Sequence, residues 1–115
     1  MNQQHVEAFL VQGQSVLASH RQEILGFAAK SRLPAIYAWA TWVTAGGLSS
    51  YAEMESEPFR RAATYVGRIL KGVKPGDLPI EQPMKFEFII NLNAAKQIGL
   101  TIPQSLLYQA DKVIK

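Results

Sequence analysis

The residue types that most often perform enzymatic chemistry are scarce in this sequence and are not spaced to act together. There is no cysteine, so the chain has neither a thiolate nucleophile nor a disulfide or thiolate metal site. His5 and His20 lie far apart and have no carboxylate at a metal-ligand spacing, so we interpret both as solvated side chains. No glycine-rich phosphate loop and no G-x-S-x-G elbow occurs. The sequence therefore predicts no enzyme, no catalytic residue, no metal site and no cofactor.

The two tryptophans are better suited to the recognition of a flat ligand. Trp39 and Trp42 can form an aromatic wall, because their rings give a large apolar contact area with little conformational entropy to lose. Their spacing of three residues suits a place in the core equally well, so the sequence leaves both interpretations open.

Positive charge is concentrated in one segment, although the net charge of the chain is only +3. The basic residues of this segment are Arg60, Arg61, Arg68, Lys71 and Lys74. They fall on the polar side of a predicted helix, and no aromatic residues that stack on bases are interleaved with them. We therefore interpret them as a solvated face and predict no binding of nucleic acid.

Short apolar runs alternate with helix signals, which is typical of a parallel sheet with crossover helices. Strands are predicted at residues 8–11, 35–38, 48–51 and 85–91. The first helix is expected to begin with Ser15 as its cap and to stop before Pro34, and residues 39–45 form either a short helix or a structured loop. After Pro103 a last helix is expected to continue through Ile114. At 115 residues the chain suits one domain with its own core.

The clearest helix lies between Ser56 and Lys71, with Ser56 as the N-cap and Gly72 as a left-handed stop. Its apolar residues recur at helical spacing and form one continuous face: Phe59, Ala62, Ala63, Val66, Ile69 and Leu70. The acidic residues around its start are explained by the helix dipole rather than by a metal: Glu53, Glu55 and Glu57. An extended connector, residues 73–84, follows it. Beyond the last strand, either Asn91 or Asn93 is expected to cap a short helix that Gly99 ends.

Four segments in the second half of the chain carry a family resemblance. They are Tyr65–Gly72 (YVGRILKG), Asp77–Pro83 (DLPIEQP), Phe86–Leu92 (FEFIINL) and Ile98–Pro103 (IGLTIP). Together they resemble the C-terminal part of the periplasmic substrate-binding proteins of ABC transporters, in the type I, two-lobed group that binds aromatic amino acids and related small solutes. Upstream, residues 21–24, 33–37 and 45–51 fit the order of the same family.

The resemblance implies an α/β fold, a Rossmann-like three-layer partial lobe with about four mostly parallel strands and flanking helices. The chain is then a single partial domain, in which residues 1–55 are the C-terminal-lobe part, 56–84 a helix and hinge-crossing connector, and 85–115 the final strand and terminal helices. It also implies a non-catalytic receptor that closes two lobes around a solute and delivers it to an ABC permease. Only about the last third of such a receptor is expected here, so weak or no binding by the chain alone is expected. The family is periplasmic, whereas a chain expressed as written has no signal peptide and would be cytoplasmic.

Ligands of open α/β sheets meet the loops after the carboxyl ends of the strands. By resemblance these loops begin at Gln12, Ala38 and Ser50, and the candidate ligand-binding residues are Gln12, Gln14, Ser15, Trp39, Ser50 and Tyr51. Many relatives carry Asp-Asn or Asp-Pro where this chain has Gln14-Ser15, so the carboxylate suited to a ligand ammonium is missing. Gln14 can still hydrogen-bond a neutral or carboxylate ligand. The expected solute is an aromatic amino acid or an aromatic acid.

The alternative is a stand-alone α/β interaction module that forms a homo-oligomer and has no transport role. If the helix at 56–71 belongs with the other lobe, its apolar face lacks the sheet that would cover it. A dimer that exchanges elements between its copies would cover that face, so a homo-oligomer is expected.

Overall fold

The computed structural model describes residues 5–115, and residues 1–4, which open the segment predicted to lack signal-peptide features, lie outside the described residues. One sheet has the strand order β1-β2-β3-β4-β5. The strands are β1 Phe9–Val11, β2 Ala35–Tyr37, β3 Ser49–Glu53, β4 Phe86–Asn91 and β5 Lys112–Ile114. The pairs β1–β2, β2–β3 and β4–β5 are parallel. The predicted α/β class with a mostly parallel sheet is confirmed, with one strand more than expected.

In the described part of the chain, six α-helices lie between these strands. They are α1 Ser15–Ser19, α2 Arg21–Ser31, α3 Ala40–Thr44, α4 Ser56–Leu70, α5 Leu92–Gln97 and α6 Gln104–Gln109, and a 3-10 turn occupies Pro75–Asp77. The single first helix predicted from the sequence is two helices that meet at His20. The prediction that Ser15 caps this helix is wrong, because Gln14 has the extended backbone of an N-cap and Ser15 is already helical.

The chain forms two compact units. The first comprises the chain up to Ala52 together with Glu87–Lys115, and the second comprises Glu53–Phe86. The chain therefore leaves the first unit once and returns to it once.

Two apolar clusters form the core of the first unit. One contains Val11, Leu25, Ala35, Tyr37 and Trp42, and the other contains Leu48, Ala94 and Ala95. The rings of Tyr37 and Trp42 stack with centroids 5.1 Å apart. Gly47 allows this packing, since a Cβ there would lie 2.7 Å from Cε2 of Tyr37 and 2.9 Å from the carbonyl oxygen of Trp42.

The junction of β4 and α5 is fixed by one buried side chain. Oδ1 of Asn91 accepts hydrogen bonds from the backbone N–H of Asn93 (3.0 Å) and of Ala94 (3.2 Å), so Asn91 is the cap of α5. Its Nδ2 donates to the carbonyl oxygen of Val43 at 3.2 Å. Ile89, Ile90 and Asn91 at the end of β4 are all buried, as expected of a strand segment covered on both faces.

The end of the chain differs from the sequence-based prediction. The last helix stops at Gln109, and β5 pairs with β4 in the register Ile90↔Val113. Asp111 makes this change of direction possible. Its Oδ2 accepts from the backbone N–H of Phe88 at 2.8 Å, and its own N–H donates to the carbonyl of Phe88 at 2.8 Å. These two bonds hold the chain against β4 and allow a strand where helical spacing predicted a helix.

The second unit consists mainly of α4 and the connector that follows it. The helix has the predicted bounds to within one residue, and Gly72 has the expected left-handed backbone with φ 107°. Ser56 lies inside the helix and Glu55 precedes it, so the predicted Ser56 cap is wrong. The connector is held to α4 by a hydrogen bond from the hydroxyl of Tyr65 to the carbonyl of Pro79 and by an ion pair between Arg61 and Glu81.

Candidate ligand-binding site

The carboxyl ends of β1 and β2 lie side by side, because the two strands are parallel and Val11 is in register with Tyr37. The residues that follow β1 and those that follow β2 therefore emerge at the same edge of the sheet. These residues include Gln12, Gln14 and Trp39, three of the six candidates predicted from the sequence.

Close contact between Gly13 and Trp39 organises this edge. A Cβ on Gly13 would lie 2.8 Å from Cζ2 and 3.1 Å from Cε2 of Trp39, so the indole rests directly against the glycine. Trp39 is half-buried and also packs against the first core cluster. Sequence reasoning passed over Gly13, although a glycine just after a strand can mark a place where another group approaches the backbone closely.

The residues that flank Gly13 in the sequence carry neutral polar side chains. Gln12, Gln14 and Ser15 are exposed, and the side chain of Gln14 makes no capping hydrogen bond with α1. Amide and hydroxyl groups both donate and accept hydrogen bonds. The site thus combines a flat apolar ring with neutral polar groups, and none of these four side chains carries a charge.

The two tryptophans separate into one site residue and one core residue. Trp42 is buried in the first cluster, where it stacks on Tyr37. Burial also raises the pKa of Tyr37 to about 12. The hypothesis of an aromatic wall built from both tryptophans is therefore wrong, and Trp39 alone is available at the strand ends.

The remaining two candidates lie within a strand rather than in a loop. β3 continues to Glu53, so the prediction that a loop begins at Ser50 is wrong. Ser50 is 1% exposed and in register with Tyr37, inside the sheet. Tyr51 is 59% exposed, with its ring edge-on to Phe88 at a centroid distance of 6.2 Å. The structure brings Gln12, Gln14, Ser15 and Trp39 to one edge of the sheet. Ser50 lies in the same row as Val11 and Tyr37 at that edge, but its side chain is buried.

A separate groove of about 400 Å³ lies along α1 and α2. Its lining is mainly apolar and consists of Phe9, Val16, Leu17, His20, Glu23, Ile24 and Phe27. Within residues 5–115 no group of three or more His, Cys, Asp or Glu residues is placed to hold a metal ion. None of the helices in this described part of the chain has the length and apolar character needed to cross a membrane.

A sequence model of the family described as ABC transporter substrate binding protein matches residues 1–114. No curated protein sequence was found to match the chain.

Solved structures of similar fold come from several bacteria. A conserved domain protein of Vibrio cholerae O1 biovar El Tor is 26% identical with a TM-score of 0.86 over 93% of this chain. A Streptococcus pneumoniae ABC domain in complex with L-Trp is 28% identical, with a TM-score of 0.86 over 96% of this chain. A substrate-binding protein with adhesive properties from Clostridium difficile, 20% identical over 92% of this chain with a TM-score of 0.63, shares the fold. This chain spans 36%, 38% and 35% of those three chains, respectively.

Proposed function

This chain belongs to the family of ABC transporter substrate-binding proteins, and from that premise we propose that it forms one wall of the cleft in which a transport receptor holds its solute. Such a receptor binds the solute without covalent chemistry, on the periplasmic side, and passes it to the permease of the import system. The chain spans little more than a third of its solved relatives. We propose that the first unit supplies one side of the cleft.

The observation that carries this proposal is the packing of Trp39 against Gly13 at the carboxyl ends of β1 and β2. An indole held on a glycine backbone is fixed in position, so it offers a preorganised surface to a flat ligand. Gln12 and Gln14 flank the glycine in sequence and are exposed. They supply hydrogen bonds that orient a polar group of the solute.

We propose that the solute is a small aromatic amino acid or aromatic acid. The pneumococcal relative was solved in complex with L-Trp, which supports an aromatic ligand. At Gln14 and Ser15 this chain offers amide and hydroxyl groups rather than a carboxylate. These groups can donate to a ligand carboxylate, whereas a ligand ammonium has no anionic partner there. This chemistry favours the aromatic acid over the amino acid.

Calorimetric titration of the chain with benzoate and with L-tryptophan tests the proposal. We expect millimolar affinity, because a single wall cannot enclose about 70–90% of a ligand as a closed cleft does. Benzoate should bind more tightly than L-tryptophan, and Trp39→Ala should abolish the heat of binding. Tyr108→Ala removes an exposed aromatic ring from α6 and is the matched control. Submicromolar affinity, or a Trp39→Ala variant that binds as well as the parent, would contradict the proposal.

The second unit is proposed to belong with the opposite lobe of the receptor. Residues 56–84, the helix and its connector, would then cross the hinge, while residues up to 55 and from 85 onward stay with the carboxyl-terminal lobe. The separation of Glu53–Phe86 as a compact unit supports this division. Limited proteolysis should cut first near Glu53 and Phe86, and cuts confined to the first unit would argue against it.

A second candidate function is that of a homo-oligomerising module without a transport role. One observation favours it, namely the large apolar face that α4 leaves exposed, where Leu70 is 82% exposed. A surface of this kind is usually covered by a partner. The two functions differ in their tests, since the first requires solute binding at Trp39 and the second requires self-association.

A further inference from the structure

The orientation of α4 is the reverse of that of an ordinary surface helix, which buries its apolar stripe. The large residues of the stripe are exposed: Phe59 by 78%, Val66 by 54%, Ile69 by 39% and Leu70 by 82%. Glu57, on the opposite side of the helix, is the buried residue of α4. Its Oε1 lies 3.7 Å from Nζ of Lys85 and 3.9 Å from Nη1 of Arg60. The buried carboxylate of Glu57 thus has basic partners within its own unit, whereas the apolar side of α4 is exposed.

The size of this stripe is close to what a dimer requires. With about 200 Å² for a fully exposed large apolar residue, its four large residues expose roughly 500 Å². Two copies would then bury roughly 1,000 Å², which is near the lower limit for a specific interface. An interface of this size is consistent with micromolar self-association.

We propose that α4 of a second copy packs antiparallel on this stripe, about a two-fold axis that crosses the stripe at the height of the peptide bond between residues 64 and 65. This geometry deepens the second candidate function and rests on it. With the axis at that point, Phe59 faces Leu70 of the second copy, and Ala63 faces its Val66. Each large side chain near the middle therefore meets a small one. Ala62 and Ala63 are exposed, and small residues let two helices approach closely.

The charges at the two ends of α4 select the antiparallel arrangement. Glu53 and Glu55 precede the helix, and Lys71 and Lys74 follow it. An antiparallel pair brings the acidic end of each copy beside the basic end of the other, whereas a parallel pair brings like charges together. Because a two-fold axis repeats every contact, this complementarity acts twice in the dimer.

The first test is sedimentation equilibrium over a range of concentrations. The parent chain is expected to form a dimer at micromolar concentration, and a monomer that persists at high micromolar concentration would overturn the proposal. Val66→Asp should raise the dissociation constant by about 30-fold or more, because the two-fold contact would bury two like charges. Thr64→Asp, on the opposite side of α4, should leave the constant unchanged. Both variants should keep the fold, which their circular dichroism spectra would check.

Cysteine cross-linking tests the direction of packing. The chain has no native cysteine, so only the introduced cysteines can form disulfides. At a rise of about 1.5 Å per residue, the two copies of residue 59 in an antiparallel pair lie about 16 Å apart along the axis. A disulfide requires Cα atoms within about 7 Å. A mixture of Phe59→Cys and Leu70→Cys chains should therefore give a cross-linked heterodimer, while Phe59→Cys alone should give none.

Efficient cross-linking of Phe59→Cys with itself would indicate parallel packing and overturn the proposal. Both substituted residues are largely exposed, so the variants are expected to fold as the parent does. The result is independent of solute binding, since benzoate titration reports on Trp39 in the first unit. A dimer that binds no benzoate contradicts only the receptor function, and a benzoate-binding monomer contradicts only the dimer.

Discussion

Replacement of Asn91 by alanine should destabilise the first unit strongly, because one side chain makes three hydrogen bonds in a buried position. Loss of the cap at the start of α5 costs about 1 kcal/mol. The carbonyl of Val43, a fully buried residue, would lose one of two donors and keep the N–H of Gly46 at 3.1 Å. Loss of one such hydrogen bond costs about 0.5–1.5 kcal/mol. The expected total is about 1.5–2.5 kcal/mol, a considerable part of the stability of a domain of this size.

Urea unfolding at a fixed protein concentration, followed by far-UV circular dichroism, measures this effect. Asn93→Ala is the matched control, because Asn93 is an exposed neighbour in α5 that contributes its backbone N–H to the cap. Its free energy of unfolding should change by no more than about 0.5 kcal/mol. Asn91→Asp separates the two roles, since a carboxylate can cap α5 but cannot donate to Val43. A loss below about 0.5 kcal/mol in Asn91→Ala would refute the reasoning.

Four further predictions concern the core, a helix interior and the candidate site. Burial raises the pKa of Tyr37 to about 12, so the folded state resists ionisation and its stability should fall as pH rises from about 10 to 12, by up to roughly 2–3 kcal/mol. Urea unfolding at pH 8 and pH 11 should show this fall in the parent but a smaller one in Tyr37→Phe, and equal falls would contradict the assignment. Gly47→Ala should cost about 1–3 kcal/mol, because its Cβ would lie 2.9 Å from a main-chain oxygen that cannot move easily. Gly26→Ala, in a helix interior with open space around it, should instead stabilise by about 0.5–1 kcal/mol in the same assay. Gly13→Ala should displace the indole of Trp39 and weaken benzoate binding more than it lowers stability, and calorimetry that finds unchanged binding would count against the site.

The sequence predicted best those features that depend on local chemistry. The bounds of α4 followed from its apolar spacing and from Gly72, whose left-handed backbone the structure contains. The cap of α5 was narrowed to two asparagines, and Asn91 is the one that accepts the N–H groups. The family resemblance, based on segments between Tyr65 and Pro103, was confirmed by the family match over residues 1–114.

Features that depend on distant contacts could not be read from the sequence. β5 follows from the bonds between Asp111 and Phe88, which lie 23 residues apart, whereas the spacing of Val113 fits a helix as well. Trp39 and Trp42 look alike in sequence, and only the Tyr37 ring decides which of them enters the core. Glutamines and serines near strand ends give no signal of their own, so the sequence indicates a region for the candidate site rather than individual side chains.

The insertion of residues 53–86 between the two parts of the first unit affects how that unit folds. β3 and β4 are neighbours in the sheet, yet residues 53–86 separate the two parts of the first unit. Bringing such ends together costs roughly 3 kcal/mol of loop-closure entropy before any contact across the sheet forms. Folding should therefore be slower than in a helical bundle of the same length. Because closure entropy grows only with the logarithm of length, doubling the number of inserted residues would add about 0.6 kcal/mol. The sheet thus tolerates great variation in the length of what is inserted between β3 and β4.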